Sequence, residues 1–234
     1  TTHDRIVKLD RLSGKMKLFP VNSRFLCKTP DGTLYTTVLG KDLHIVDTTT
    51  RTLHRVKGQT VRSAQGVNYP NETLDFIHVI TVAKDGTVWA VGKTKTIEGL
   101  FRFESASGQW IWHAPAAFYM NTNKDIVVPV RSTNTKIINT AALYIDSTGD
   151  VWFGGWGEGL FSYSVSTGQW RQYYFYRNEN SFFDDNIILH ITPRNKDEFW
   201  IRSGTNGFVF NHRQQRVYDF TFLHGKGATP PLQY

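Results

Sequence analysis

The sequence predicts an all-β fold, a β-propeller of four-stranded antiparallel blades, and three observations predict it. Short period-2 apolar runs separated by turn dipeptides recur from end to end, while helical periodicity is nearly absent. Aromatic residues alternate with glycine turns: Phe, Trp and Tyr make up 14% of the 234 residues, beside 19 Gly, a composition suited to strands and hairpins. Finally, a polar turn followed by an apolar strand with an aromatic recurs four times, and its aromatics Tyr35, Trp89, Trp152 and Trp200 are 54, 63 and 48 residues apart. A β-sandwich seldom repeats the same turn chemistry in this way.

The elements follow in order. The stretch from Arg5 to Phe19, turning at Ser13-Gly14, reads as the outer two strands of a blade. Strands Arg24 to Lys28, Phe76 to Val82, Thr140 to Ile145 and Ile187 to Thr192 each precede one of the four turns, Asp31-Gly32, Asp85-Gly86, Gly149-Asp150 and Lys196-Asp197. The Asp-Gly and Gly-Asp pairs supply the positive φ of a tight hairpin. A second series follows: Asp42-Leu43-His44-Ile45-Val46, Gly99-Leu100-Phe101-Arg102-Phe103, Gly159-Leu160-Phe161-Ser162-Tyr163 and Gly207-Phe208-Val209-Phe210. Each of these runs through another turn into a fourth strand. The assignments are residues 1–20 as an outer half-blade, blades at 21–57, 76–113, 137–176 and 186–220, and 221–234 as a linker or the start of a further blade. Polar, turn-rich insertions at 57–75 and 114–136 account for the longer steps. Five outer strand pairs against four inner pairs lead to the expectation of about four and a half blades of a larger, seven-bladed ring. Trp89, Trp152 and Trp200, at in-strand positions, are expected in the core between blades.

Composition narrows the function classes. No apolar run approaches the ~20 residues of a membrane span. A single cysteine, Cys27, forbids an intrachain disulfide and a cysteine zinc cluster. The 27 Lys and Arg against 20 Asp and Glu give a net charge of +7, yet no basic run or nucleic-acid motif appears, so nucleic acid is not expected as a partner. Eight scattered His residues show no metal-ligand spacing, and there is no nucleophile elbow or phosphate loop. No metal, no cofactor and no catalytic residue is predicted. Asp184-Asp185 reads as a turn rather than a shared acid and base, because neighbours on an extended segment point opposite ways.

One unit carries a resemblance. Gly149-Asp150-Val151-Trp152-Phe153-Gly154-Gly155-Trp156-Gly157-Glu158-Gly159-Leu160-Phe161-Ser162-Tyr163 resembles the two-component regulator propeller repeat, roughly G-x-L-W-I-G-T-x-x-G-G-L-x-R-Y. The likeness continues through Ser166-Thr167-Gly168-Gln169-Trp170 to Asn180-Ser181 and Asp185-Asn186-Ile187-Ile188. The resemblance implies the periplasmic, extracytoplasmic sensor region of a hybrid two-component protein, with no catalysis of its own, a membrane span and histidine kinase downstream, a homodimeric full-length receptor and an oligosaccharide ligand. Two alternatives stand beside it. One is an enzyme similar to the streptogramin lyase propellers, which share the Asp-Gly-x-x-Trp-Phe strand; here Gly154-Gly155 replaces their usual Thr-Glu. The other is a protein-interaction propeller.

In a propeller the loops joining second to third strands, and each fourth strand to the next blade, gather on one face. Function concentrates on such loops. The ligand-binding residues expected there are Trp156, Glu158, Lys93, Lys95, Arg131, Arg202 and Asn206. Trp156, between two glycines and without strand neighbours, reads as a stacking platform, and the cations as a field that favours an acidic ligand.

Overall fold

The computed structural model describes residues 5–9, 12–38, 40–66, 68–113, 126–127, 140–175, 186–204 and 207–218. Every regular element among them is a β-strand. The chain divides into two compact units, Thr1–Ala114 and Pro115–Tyr234.

The first unit opens with β1 (Arg5–Leu9), antiparallel to the first half of the 13-residue β2 (Met16–Lys28), with Val7 opposite Leu18. The second half of β2 pairs instead with β3 (Leu34–Val38), setting Cys27 opposite Tyr35, and the register slips between Ser23 and Leu26. One continuous strand therefore ends a half-blade and begins the first full blade, which β4 (Leu43–Asp47) and β5 (Thr52–Arg55) complete. The polar insertion expected at 57–75 is itself structured. Its β6 (Thr60–Ser63) and β7 (Asn68–Thr73) form a hairpin laid on the outer edge of the second blade. That blade is β8 (Phe76–Val82), β9 (Val88–Lys93), β10 (Glu98–Glu104) and β11 (Gln109–His113), and β6 runs parallel to β11 with Val61 opposite Trp110. A bare outer strand exposes unpaired N–H and C=O groups, and the hairpin covers them.

The second unit repeats the scheme. A short β12 (Ile126–Val127) pairs with the outer edge of the third blade, β13 (Ala142–Ile145), β14 (Val151–Gly154), β15 (Leu160–Tyr163) and β16 (Trp170–Phe175). The fourth blade is β17 (His190–Pro193), β18 (Glu198–Arg202), β19 (Gly207–Asn211) and β20 (Arg216–Tyr218). In each unit the first strands of successive blades lie side by side, β2 by β8 and β13 by β17.

The turn chemistry is local. Gly32, Gly86 and Gly149 have φ near +90°, and Asp31, Asp85 and Asp146 accept backbone N–H bonds of 2.9–3.0 Å from Thr33, Thr87 and Thr148. Packing then joins the blades. In the first unit Leu43, Ile77, Ala90, Phe101 and Trp110 are buried together; in the second, Trp152, Tyr173, Phe175, Phe199, Phe208 and Phe210 are. Each of the larger aliphatic and phenylalanine side chains among them contributes ~1.5–3 kcal/mol of transfer free energy. Trp89 and Trp152 are buried as expected, at 2% and 4% exposure. Trp200 corrects the expectation: it is only partly buried. Phe199 and Ile201 turn into the shared core, so strand alternation sends Trp200 to the other face, where the Arg194 guanidinium lies 5.1 Å from its ring.

Candidate functional site at the β14–β15 loop

The Gly-rich sequence between β14 and β15 makes a tight loop because Gly157 and Gly159 adopt φ of +79° and +70°. Gly159 is also forced by space: an added Cβ would overlap the Tyr173 carbonyl oxygen. Between them the loop projects Trp156, 55% exposed, and half-exposes Glu158.

The crossing from β16 to β17 braces this loop at both ends. Ile188 N–H donates to the Gly155 carbonyl at 2.8 Å, and Gly159 N–H donates to the Asn186 carbonyl at 3.0 Å. Asn186, fully buried, clips the end of β16: its Nδ2 donates to the Phe175 carbonyl and its Oδ1 accepts from the Phe175 N–H, both at 2.8 Å. Beneath the loop, buried Gln172 donates from Nε2 to the Glu158 carbonyl (2.8 Å) and to Tyr174 Oη (3.0 Å). Tyr174 Oη in turn donates to Glu158 Oε2 at 3.3 Å. The carboxylate is therefore oriented from below, with the indole beside it in solvent. An aromatic plane next to an aimed acceptor suits a ring with an apolar face and hydroxyl edges.

Arg202 ends β18 in the next blade. It is exposed, and its carbonyl accepts the Leu189 N–H at 2.9 Å, directly after the brace. Lys93 and Lys95 belong to the first unit, at the end of β9 and in the β9–β10 loop, both exposed. Glu98 stands opposite Lys93 in the ladder, and Glu72 accepts from Thr96 in the same loop at 3.0 Å. Hydrogen bonds from Thr94 and Thr96 hold the Glu72 carboxyl below its ordinary range, so carboxylates accompany these lysines. Arg131, Asn206 and the Asp184-Asp185 pair lie outside the described residues. Trp156 and Glu158 share the β14–β15 loop, Arg202 ends β18 in the next blade, and the two lysines lie in the first unit. Gln172 and Tyr174 escaped the sequence reading because a polar side chain inside an aromatic strand carries no local signal.

Two clefts lie at the other ends of the strands. One of about 470 Å³ in the first unit is lined by Asp31, Tyr35, Asp85, Arg102 and Glu104 among others. The second, of about 180 Å³, belongs to the second unit.

No protein-family profile matches the chain, and no curated protein matches it. Among solved structures it is similar to virginiamycin B lyase from Staphylococcus aureus, with a TM-score of 0.59 and 12% identity over 92% of this chain and 62% of that one. The fold is a β-propeller. The chain is also similar to YCF48 bound to D1 peptide (TM-score 0.52, 10% identity, 89% of this chain, 58% of that one). A further match is the extracellular domain of a putative hybrid two component system from B. thetaiotaomicron (TM-score 0.44, 16% identity, 89% of this chain, 30% of that one). The chain spans less than two thirds of each of these proteins. At such identities the likeness speaks for the fold alone.

Proposed function

We propose that the chain is the extracytoplasmic, ligand-sensing part of a hybrid two-component receptor, and that it recognises an oligosaccharide on the face bearing the β14–β15 loop. The observation that carries this reading is Trp156: a 55% exposed indole on a loop pinned at both ends, beside a carboxylate fixed by Tyr174. An exposed tryptophan costs apolar surface in water, and a stacked sugar ring recovers it. The sequence pattern of the same loop, similar to the two-component regulator repeat, supplies the sensor context. Arg202, exposed at the end of β18 in the following blade, suits an acidic sugar, whereas Lys93 and Lys95, with their carboxylate neighbours, contribute less. In the homodimeric receptor, ligand shifts the balance between two arrangements only by its differential affinity for them.

The test is a calorimetric screen of neutral and acidic oligosaccharides against the chain, followed by Trp156→Ala. Binding weakened at least about tenfold by the substitution supports the reading; no binding by any glycan, or equal binding by the variant, defeats it. A lyase is the alternative reading, favoured by the superposition on virginiamycin B lyase, and turnover of a streptogramin by the purified chain would establish it over the sensor.

A further inference from the structure

The fourth blade has two unlike faces. Strand alternation sends Ile191, Phe199, Ile201, Phe208 and Phe210 into the apolar cluster shared with the third blade. The other face is built on the row Thr192, Trp200, Val209 and Tyr218, one residue from each strand. Trp200 holds the place in this row that Trp152 holds in the row Tyr144, Trp152, Ser162 and Arg171 of the third blade. There the following blade closes the face, with Phe199 at 4.9 Å and His212 at 5.2 Å from the Trp152 ring. The row through Trp200 lies outside that cluster, and Tyr218 at its end is 38% exposed. Val209, between the two aromatic neighbours on adjacent strands, is buried.

Charge sets this face apart as well. The Arg194 guanidinium lies over the Trp200 ring and reaches Glu198 at 3.4 Å. Glu198 is the one carboxylate in the paired rows of the face, and it also accepts from Asn195 Nδ2 at 2.7 Å. Its charge is therefore answered within the blade. Arg202 and Arg216 are both exposed, and neither forms an ion pair among the described residues. They sit two strands and four residues apart in the ladder, which strand geometry converts to roughly 17 Å between their Cα atoms. Side chains that stand off a sheet at that spacing address two separate acidic groups on a large partner.

From this arrangement we infer that the outward face of the fourth blade docks a partner protein through an acidic surface, whose carboxylates meet Arg202 and Arg216 on either side of the Trp200–Tyr218 row. Arginine, tryptophan and tyrosine are the side chains that carry most energy at protein interfaces, and an aromatic centre inside a charged rim is their usual setting. A second copy of the chain does not fit. The net charge is +7, and the β1–β2 hairpin, residues 5–18, carries five Lys and Arg against one Asp. Two copies of the fourth-blade face, or that face against the hairpin, would set like charges together. Only Arg202 is common to this inference and the glycan reading, and the inference does not depend on that reading.

The test titrates the full chain with labelled poly-L-glutamate, a polypeptide that offers carboxylates at every spacing, and follows fluorescence anisotropy. Polygalacturonate and duplex DNA are titrated beside it as anionic polymers of other classes. The expected result is saturable binding of poly-L-glutamate that weakens as salt rises and falls at least about tenfold in Arg202→Glu and in Arg216→Glu. Lys84→Glu, which reverses an exposed cation of the first unit, leaves it within about twofold. Both arginines are exposed, so the variants keep the fold, and Arg216→Gln gives a smaller loss in the same direction. No saturable binding, unchanged affinity in either arginine reversal, or an equal loss in Lys84→Glu would overturn the inference. Binding of polygalacturonate or DNA about tenfold tighter than poly-L-glutamate would overturn it too. So would a dimer, seen by sedimentation, that Arg216→Glu abolishes, because the face would then belong to a second copy. The glycan screen has no bearing on any of these readouts.

Discussion

The crossing from the first blade to the second and the crossing from the third to the fourth use the same two devices for different ends. In both, an isoleucine N–H donates to a glycine carbonyl just past the second strand: Ile77 to Gly40, Ile188 to Gly155. In both, a buried amide side chain clips one residue's N–H and C=O together, imitating a neighbouring strand. Gln59 holds Leu43 at 2.7 and 3.2 Å, and Asn186 holds Phe175 at 2.8 Å twice. Both crossings thus grip the two ends of a second-to-third-strand loop, through Gly40 and Leu43 in the first unit and through Gly155 and Gly159 in the second, and the difference lies in what the loop carries: Lys41 and Asp42 in one, exposed Trp156 and half-buried Glu158 in the other. The same structural lock steadies both loops, and in the second unit the steadied loop is the one proposed above to meet a ligand.

The sharpest challenge to that comparison is Gly159→Ala. Left-handed backbone and overlap with the Tyr173 carbonyl together cost more than about 4 kcal/mol, seen as a large fall in unfolding free energy of the second unit. Next come the two clips. Asn186→Leu and Gln59→Leu each leave two buried backbone groups unsatisfied at ~1–3 kcal/mol apiece, so both lose about 3 kcal/mol in denaturant melts. Only Asn186→Leu also weakens glycan binding; equal binding losses in both would erase the distinction.

Acid separates the units by another route. Burial, aided by Arg102, lowers His113 to about 4 in the first unit. Its neutral form stabilises the fold fully above the ordinary value near 6.5, and that stabilisation drains as pH falls from 6.5 through 4, by about 3 kcal/mol. Hydrogen exchange should therefore show residues 5–113 opening over this window, and His113→Gln should flatten the loss. The smallest effect is on stability in Trp156→Ala, within about 0.5 kcal/mol, because the indole is exposed and supports no core.

Much of the fold was legible because its signals are local. Asp85-Gly86 followed by Val88-Trp89 specifies turn and strand within five residues, and β8 occupies the very stretch from Phe76 to Val82 that periodicity marks. The β6–β7 hairpin was not legible, since its parallel pairing with β11 joins Val61 to Trp110 across a long span of chain and leaves no trace in composition. Trp200 shows a related limit: alternation gives its face, but not what covers that face. At the candidate site Trp156 was readable from its glycine neighbours. Gln172 and Tyr174 were not, because an in-strand residue looks alike whether it braces a loop or packs a core.

The undivided course of β2 has a mechanical meaning. A strand hydrogen-bonded to β1 along one half and to β3 along the other behaves as a torsion bar between two plates. The half-blade is tied to the first blade by this backbone and also by packing of Ile6 against Val46, Leu34 and Leu53. The register slip between Ser23 and Leu26 is the point of compliance in that bar.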